Sequence, residues 1–341
     1  MPQPTIRTVA AHAGVSKSLV SLVLRGSHSV SEAKRTAVEN AILELGYRPN
    51  LSARSLTQNR THIVGVLIND LRNPWFVDCI EGMNSVLQQH GLKMFLADGR
   101  LDRSSDESFV KSFVDLRLDG LVLVGTRDPT PAIAEAAAAM PTVVVASRDL
   151  DFPGVDVVAN DDELGTTLAV DHLVALGHER IAHIAGFGAV ADIRASSYRA
   201  AMVAHGLSRH IHVEASDMTE DDGHRAAVRL LDSRTRPTAV YAFNDIVAIG
   251  TMTACSERSI AIPHDMSVVG YDNTSIAQLR HVWLTSVDNA SIEVGERAAQ
   301  ALVERITTPG APGSLALVTP ALQVRGSTGH PPQRSTTVVS K

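Results

Sequence analysis

The sequence predicts a small all-α head with a helix-turn-helix and a hinge helix, followed by a large α/β body of two parallel-sheet subdomains. Two observations predict this division. Short apolar stretches with helical spacing fill residues 5–45, whereas strand-like runs alternate with helical segments over two successive blocks from residue 62 onwards. Such alternation is typical of parallel sheets whose crossover connections are helices.

The charge is divided in the same way. The chain of 341 residues has a formal net charge of -6, which taken alone argues against a nucleic-acid partner. Residues 1–62 contain eight lysines and arginines and three glutamates, a balance of +5, so the rest carries −11. A basic head on an acidic body is expected of a chain whose head binds a polyanion.

Cysteine content and hydropathy indicate the compartment. The two cysteines, Cys79 and Cys255, form neither a disulfide framework nor a metal motif, which favours a reducing environment. The sequence contains no signal-peptide pattern and no apolar run of membrane-spanning length. We therefore expect a cytoplasmic protein, associated with the nucleoid when bound to DNA, without a cofactor, a metal ion or a membrane partner.

Three helices are predicted in the head. They are Ile6–Ala13 with Thr5 as N-cap, a helix capped by Ser16 that runs to about Arg25, and Glu32–Leu45 with Ser31 as cap and Gly46 as stop. The spacing of Ala10, Gly14 and Val20 gives a close helix contact, a tight turn and an apolar seal, which is the helix-turn-helix arrangement. A three-helix core without DNA binding is the alternative.

The second helix presents side chains that suit DNA. Lysine and arginine read guanine edges, serines hold phosphates and a leucine offers apolar contact. The predicted exposed face consists of Lys17, Ser18, Ser21, Leu22 and Arg25.

A short helix is predicted after Pro49, with Asn50 as its N-cap. Two turns are too few for a stable isolated helix in water. One hypothesis is that the segment folds on meeting DNA and that Leu56 enters the minor groove as a wedge. The alternative is a plain interdomain linker.

The head motifs resemble one family. Thr5–Ser21 (TIRTVAAHAGVSKSLVS), Gly46–Asn50 (GYRPN) and Ala53–Leu56 (ARSL) resemble the head and hinge of the lactose-repressor/galactose-repressor (LacI/GalR) family. The resemblance implies a homodimer whose two heads bind a near-palindromic operator in successive major grooves, with paired hinge helices between them. The DNA-contacting residues that we then expect are Thr5, Ser16, Lys17, Ser18, Ser21, Arg25, Asn50, Ala53, Arg54 and Leu56.

Strand and helix candidates alternate through the body. The strand candidates are His62–Ile68, Lys93–Ala97, Gly120–Val124, Thr142–Ala146, Arg180–Ala185, Ala239–Phe243 and Ser267–Gly270. The helix candidates are Phe76–His90, Ser105–Leu116, Pro131–Ala139, and segments near Arg194–His205 and Ile246–Glu257. Polar residues follow several strands, and ligands of parallel sheets bind at these carboxyl ends. Each such asparagine or aspartate has an alternative interpretation as a turn former or helix cap.

The resemblance extends through the body and covers about residues 5–330. Its motifs include Asn73–Phe76 (NPWF), Asn244–Gly250 (NDIVAIG) and Val268–Asp272 (VVGYD). It implies the two-subdomain fold of periplasmic sugar-binding proteins, with the family's effector-contacting residues at Arg194, Asn244 and Asp272. The effector-binding residues that we expect are Asn73, Phe76, Arg148, Arg194, Asn244, Asp272 and Asn289, and a ring face from Phe76 or Trp75 suits a sugar.

The class of effector stays open at this point. The sequence departs from frequent family residues at Ser147, Met218, Asn273, Asn289 and Ser197. A sugar, a polyol and a sugar phosphate all remain candidates for the small-molecule partner.

The predicted domains are a head over residues 1–49, a hinge helix and linker over 50–61, and an effector-binding and dimerisation domain over 62–330. Within the last, the N-subdomain covers about 62–161 and 290–318, and the C-subdomain about 162–289 and 319–330. Residues 331–341 are expected to form a disordered tail without a leucine heptad, so we expect no tail-driven tetramer.

Other functional classes have less support. Gly186–Ala191 matches a dinucleotide fingerprint formally, but no acidic residue ends a strand about twenty residues later. His205, His210 and His212 are interpreted as surface histidines, and residues 217–222 as a solvated acidic loop. The alternatives to a repressor are a sugar-processing enzyme with a DNA-binding head, a binding protein with a vestigial head, and an activator or co-repressor-dependent regulator of the same fold. No catalytic motif supports an enzyme.

Overall fold

A computed structural model describes residues 4–24, 26–47, 60–99, 106–125, 130–147 and 152–332 of the chain. The chain divides into two compact units, Met1–Thr61 and His62–Lys341, which are referred to below as the head and the body. No helix in the described residues has the length and apolar character needed to cross a membrane.

The described residues of the head form three helices, close to the predicted positions. They are α1 (Ile6–His12), α2 (Lys17–Leu24) and α3 (Glu32–Leu45). Thr5 caps α1 in a capping box with Thr8, and Ser16 accepts a hydrogen bond from the backbone N–H of Leu19 at 3.2 Å. Gly46 ends α3 at a φ of 59°, a left-handed conformation that glycine adopts without strain. The prediction that Ser31 caps α3 is only half right, since it occupies the N-cap position without a side-chain hydrogen bond.

A small apolar core holds these helices together. Val9 of α1, Val20 of α2 and Val38 of α3 are fully buried, and Ala10 lies 5% exposed among them. The side chains of His12 and Glu44 lie 2.7 Å apart and connect α1 to α3. The predicted close contact at Ala10 and seal at Val20 are thus present in the head.

The body is built from alternating strands and helices. The elements whose strands form the first sheet are β1 (Ile63–Ile68), α4 (Pro74–Gln89), β2 (Lys93–Asp98), α5 (Asp106–Asp115), β3 (Gly120–Val124), α6 (Pro131–Ala139), β4 (Thr142–Val145), β5 (Asp156–Asn160), α11 (Ser291–Thr307) and β11 (Leu315–Val318). Those of the second are α7 (Asp162–Ala175), β6 (Ile181–Ala185), α8 (Ala189–Ala204), β7 (His212–Ala215), α9 (Glu220–Leu231), β8 (Ala239–Ala242), α10 (Asp245–Glu257), β9 (Ser267–Tyr271), β10 (Thr285–Asp288) and β12 (Ala321–Gln323).

Two six-stranded sheets result. Sheet 1 has the strand order β11-β5-β4-β3-β1-β2 and sheet 2 the order β12-β10-β9-β8-β6-β7. Every pairing is parallel except that of β10 with β12. Central strands such as β3 and β9 are buried along their whole length, as expected of parallel strands covered by helices on both faces. The predicted parallel α/β fold of the body is confirmed.

Within residues 152–332 the chain passes between the sheets at three places. They are residue 161 after β5, residues 289–290 after β10, and residues 319–320 between β11 and β12. Val318 pairs with Asn160, and Ala321 pairs with Asp288, so all three connections lie side by side. The side-chain amide of Asn160 also donates to the backbone carbonyl of Asn289, which ties two of the connections together.

One prediction for the body was wrong. Residues 217–222, interpreted as a solvated acidic loop, lead into α9, which begins at Glu220. Thr219 is the N-cap of α9 and accepts a hydrogen bond from the backbone N–H of Asp222 at 3.2 Å. Acidic residues in a first turn interact favourably with the positive end of the helix dipole, so the same residues that resemble a solvated loop also suit a helix start.

Candidate functional site

A cleft of about 430 Å³ lies where the carboxyl ends of the strands of both sheets meet in the body. Six of the residues predicted to bind an effector line it: Asn73, Phe76, Arg194, Asn244, Asp272 and Asn289. The seventh, Arg148, lies outside the described residues. This volume is within the ~300–1,000 Å³ range of small-molecule sites.

Arg194 of α8 is held rigidly at the base of the cleft. Its Nε donates to Oδ1 of Asp162 at 2.9 Å, and its Nη1 donates to the carbonyl of Phe243 at 2.6 Å. The guanidinium carbon lies 3.5 Å from the centre of the Tyr271 ring. Burial is the largest single effect and opposes the charge of Arg194, but Asp162 together with Tyr271, Tyr241 and Asp272 outweighs it and raises the pKa of the guanidinium. Arg194 therefore remains a fixed cation whose charge is compensated within the protein.

Asp272 belongs to a hydrogen-bonded chain that joins the two sheets. Its Oδ1 accepts from the amide of Asn289 at 2.9 Å, and its Oδ2 accepts from the amide of Asn73 at 3.5 Å. Oδ1 of Asn289 in turn accepts from the indole N–H of Trp75 at 2.9 Å. Since Asn73 and Trp75 belong to the start of α4 and Asp272 follows β9, any movement of one sheet against the other must alter this chain.

Asp272 is also strained and unusually weak as an acid. Its φ of 101° lies in a region that side chains other than glycine rarely adopt, which is common at functional sites. Burial is the main effect that raises the pKa of Asp272. The positive charge of Arg194 lowers this pKa and the charge of Asp245 raises it, and the net result is a pKa of about 7. The group therefore changes its charge near neutral pH.

Two cleft asparagines act as helix caps. Oδ1 of Asn73 accepts from the backbone N–H of Trp75 at 3.0 Å at the start of α4. Oδ1 of Asn244 accepts from the backbone N–H of Val247 at 2.9 Å at the start of α10. The two interpretations of these residues are therefore compatible: each carbonyl oxygen caps a helix while the residue lines the cleft.

The described lining of the cleft is acidic. Seven carboxylates (Asp70, Asp106, Glu107, Asp162, Asp217, Asp222 and Asp272) accompany two arginines, Arg72 and Arg194. Each arginine is paired, Arg72 with Asp70 at 2.6 Å and Arg194 with Asp162 at 2.9 Å. Apolar contact surface comes from Phe76, Phe187, Met218 and Phe243.

Sequence reasoning missed several of these residues. Asp162 was not found because β5, the strand before it, was not predicted, so no strand end marked the position. Asp217, Thr219 and Asp222 were assigned to a solvated loop, yet they line the cleft. The signal that marks them is a threonine followed by acidic residues, which is typical of a helix N-terminus.

Other polar residues near strand ends serve the structure of the body instead. Asn273 donates to Asp288 at 2.9 Å and accepts from Arg325, and it is not among the residues that line the cleft. Asp245 is fully buried and accepts from Ser286 at 2.6 Å and from the backbone N–H of Thr274 at 2.7 Å. The side chain of Asn273 therefore connects parts of sheet 2 and its neighbouring loops.

Several candidate DNA-contacting residues of the head lie at the start of α2. Ser16, Lys17 and Ser18 are exposed at the start of α2, and Ser21 is half-buried one turn further on. The hydroxyl of Thr5 accepts the capping hydrogen bond from the backbone N–H of Thr8 at the start of α1. Arg25, Asn50, Ala53, Arg54 and Leu56 lie outside the described residues.

No group of three or more histidine, cysteine, aspartate or glutamate side chains within the described ranges is placed to hold a metal ion. His205 instead lies 2.6 Å from Asp171, and His212 lies 3.5 Å from Glu214.

Comparisons with known proteins agree with both units. The family described as bacterial regulatory proteins, lacI family, matches residues 5–50, and a periplasmic binding protein-like domain matches residues 170–328. The ribose operon repressor of Escherichia coli (strain K12) is 34% identical over 328 residues, which cover 95% of this chain and 99% of that protein.

Solved structures show the same likeness. The lac repressor dimer bound to operator and the anti-inducer ONPF superposes with a TM-score of 0.85 at 27% identity, covering 96% of this chain and 99% of that one. A complex of the transcriptional regulator CelR with cellobiose has a TM-score of 0.71 at 31% identity, and the alignment covers 95% of this chain and 99% of that one. The chain therefore belongs to the LacI family of bacterial transcriptional regulators.

Proposed function

We propose that this protein is a dimeric repressor that binds a near-palindromic operator through its head and responds to a neutral, sugar-like effector in the cleft. The observation that carries the proposal is the hydrogen-bonded chain from Trp75 through Asn289 to Asp272, which joins the two sheets at the floor of the cleft. An effector that hydrogen-bonds to Asp272 would compete within this chain and change the relation of the sheets. The relatives named above include a ribose operon repressor and a regulator bound to cellobiose.

The charge of the cleft selects among the classes of effector. A phosphate group would enter a site where seven described carboxylates accompany two arginines, both paired with lining carboxylates; Glu107 and Asp222 are paired with Lys111 and Arg225 outside the lining. Repulsion between unit charges a few ångströms apart amounts to about 4 kcal/mol at an effective dielectric constant near 20. Carboxylates and amides instead suit the hydroxyls of a sugar or polyol. Of the three classes left open by the sequence, a sugar phosphate is therefore disfavoured.

In the head, we propose that α2 enters the major groove with Lys17, Ser18 and Ser21 towards the DNA. Their exposure at the start of the helix supports this role. We carry over Thr5, Ser16, Arg25, Asn50, Ala53, Arg54 and Leu56 as contacts from the family resemblance alone. Coupling between the sites is reciprocal, so operator binding must change effector affinity by the same factor as the effector changes operator affinity.

The test begins with thermal unfolding of the full-length protein in the presence of neutral sugars, polyols and their phosphates. Each compound that raises the melting temperature is then titrated against the protein on operator DNA, identified beforehand by binding-site selection. We expect a neutral sugar or polyol to bind and to change operator affinity. Binding by sugar phosphates alone, or a ligand without effect on operator affinity, would contradict the proposal.

The role of the head is tested by Lys17→Ala. If Lys17 reads a guanine, the substitution costs about 1–3 kcal/mol of base discrimination. Binding-site selection with both proteins should then yield a relaxed preference at one base pair of each half-site. An identical selected operator would exclude Lys17 as a reader.

We further propose that the protein has no enzymatic activity towards its effector, as in the repressors to which it is similar. Incubating the purified protein with each compound that binds, and analysing the products by chromatography, tests this directly. Turnover would support a sugar-processing enzyme with a DNA-binding head.

A further inference from the structure

A second pocket opens at the amino-terminal edge of sheet 2, at the opposite ends of the strands that form the cleft. It has a volume of about 510 Å³ and is lined by a group of cationic and imidazole side chains, Arg180, Arg209, Arg234, Arg236, His210 and His212. We call it the cationic pocket. Arg180 precedes β6, His212 begins β7, and the loop with Arg234 and Arg236 leads to β8.

Local hydrogen bonds shape this pocket. Nε of Arg180 donates to the backbone carbonyl of Arg236 at 2.9 Å, which joins the start of β6 to the loop before β8. Nε of Arg209 donates to Nε2 of His210 at 3.0 Å. The two hydrogen bonds use only the Nε atoms of Arg180 and Arg209. Arg209, Arg234 and Arg236 are exposed to solvent.

Carboxylates approach the histidines of the pocket, but within the described residues none forms an ion pair with its arginines. None lies among its described lining residues. Of the acidic residues that are close in sequence, Glu214 lies 2.5 Å from Arg229 and 3.5 Å from His212 of the pocket, and Asp232 lies 3.6 Å from Arg258. Glu179 lies 3.8 Å from His210. Four guanidinium groups therefore gather around one cavity on a body whose overall charge is strongly negative.

An anion in this pocket would relieve the repulsion among the arginines. The planar guanidinium fork matches phosphate oxygens in pairs, which is why arginine is prevalent in phosphate recognition. Thr235 adds a hydroxyl group to the lining of the pocket.

We propose that the cationic pocket binds a small anion that carries at least two phosphate groups, at a site separate from the cleft. β6 has five residues, so the two sites lie roughly 16 Å apart along the strand. The two sites select opposite chemistry, because paired arginines and excess carboxylates line one and unpaired guanidinium nitrogens line the other. This proposal does not depend on the identity of the effector.

The test uses inorganic pyrophosphate as the probe and isothermal titration calorimetry of the full-length protein at low salt. We expect saturable binding to one site per chain. Arg209→Gln/Arg234→Gln should weaken this binding at least tenfold, since each substitution removes one exposed guanidinium. The control Arg199→Gln/Arg297→Gln makes the same change in net charge at exposed positions outside the pocket, and should bind pyrophosphate like the parent.

Two further arms distinguish the pocket from other sources of binding. Arg72→Gln alters a cleft arginine and should leave pyrophosphate affinity unchanged. Sodium sulfate at matched ionic strength should compete at least tenfold more weakly than pyrophosphate. The proposal is overturned if the parent does not bind pyrophosphate, if the pocket variant binds as tightly as the parent, if Arg72→Gln abolishes binding, or if sulfate competes equally.

Discussion

The two ends of sheet 2 treat arginine in opposite ways. At the carboxyl end, Arg194 is 5% exposed, paired with Asp162 and covered by the ring of Tyr271. At the amino end, Arg209, Arg234 and Arg236 are exposed around the cationic pocket, and no carboxylate among the described residues lines it. A buried cation requires a partner in the fold, because a buried charge without a partner is strongly destabilising. An exposed cation needs none and remains available to a ligand.

The comparison implies that Arg194 contributes to stability and that the pocket arginines do not. Arg194→Met should lower the free energy of unfolding by about 3–5 kcal/mol, because it leaves Asp162 buried without its cationic partner and with only the Tyr271 hydroxyl as a donor among the described residues. Urea unfolding measures this. A loss below about 1 kcal/mol would show that solvent reaches Asp162 freely and would break the comparison.

A matched buried pair in sheet 1 separates stability from ligand binding. Nη2 of Arg305 lies 2.7 Å from Oδ2 of Asp156, and both side chains are nearly buried. Arg305→Met should cost a similar amount of stability, yet it should leave effector affinity unchanged because Arg305 is not part of the cleft. Arg194→Met should reduce both.

The pH dependence of stability tests the electrostatics of the cleft. The folded pKa of Asp272 is about 7, above its ordinary value, so the fold favours the protonated form. Its contribution is present below about pH 4 and is lost as the pH rises through 7, an effect of roughly 2–4 kcal/mol. Unfolding curves of the parent should lose this much more than those of Asp272→Asn between pH 4 and 8. Parallel profiles would show that Asp272 is ionised at little cost.

Trp75→Phe sharpens the role of the chain across the sheets. It leaves Oδ1 of Asn289 buried without the indole donor, which costs about 1–3 kcal/mol. The other tryptophan, Trp283, is 48% exposed and provides a control, since Trp283→Phe should scarcely change the unfolding midpoint. Equal effects of the two substitutions would exclude a special role of the Trp75–Asn289 bond.

The smallest effect is expected at the cationic pocket. Arg234→Gln should leave the urea midpoint unchanged, because the side chain is exposed and the residue forms no ion pair in the described part of the chain. A clear loss of stability would mean that this arginine has a structural partner, and the contrast with Arg194 would fail.

Local sequence signals predicted much of the fold. The bounds of α3 and α6 and of β3 agree with the prediction residue for residue, because Gly46, Pro131 and short apolar runs mark their limits clearly. α7 was missed. Its first buried residues are Asp162, Gly165 and Thr166, so the apolar stripe by which an amphipathic helix is recognised is confined to its second half.

The site was predicted less completely, for a related reason. Asn73, Arg194, Asn244 and Asp272 were found because they follow recognisable strands or match family motifs. Their actual partners depend on contacts between residues far apart in the chain, such as Arg194 with Asp162, and spacing within one segment carries no information about them. The acidic excess of the described cleft lining is a property of the folded surface and appears in no single motif.

The three neighbouring connections between the sheets set the kinematics of the body. Two rigid bodies joined by one flexible chain are free to slide and twist, but three short chains lying side by side hold one margin of each body at a fixed separation. This arrangement therefore favours rotation of the two sheets about the line of the three connections, with little translation of one sheet against the other. Residues far from the three connections move furthest for a given rotation angle. A small rearrangement at Asn160 and Asn289 therefore produces a displacement that grows with distance from the connections.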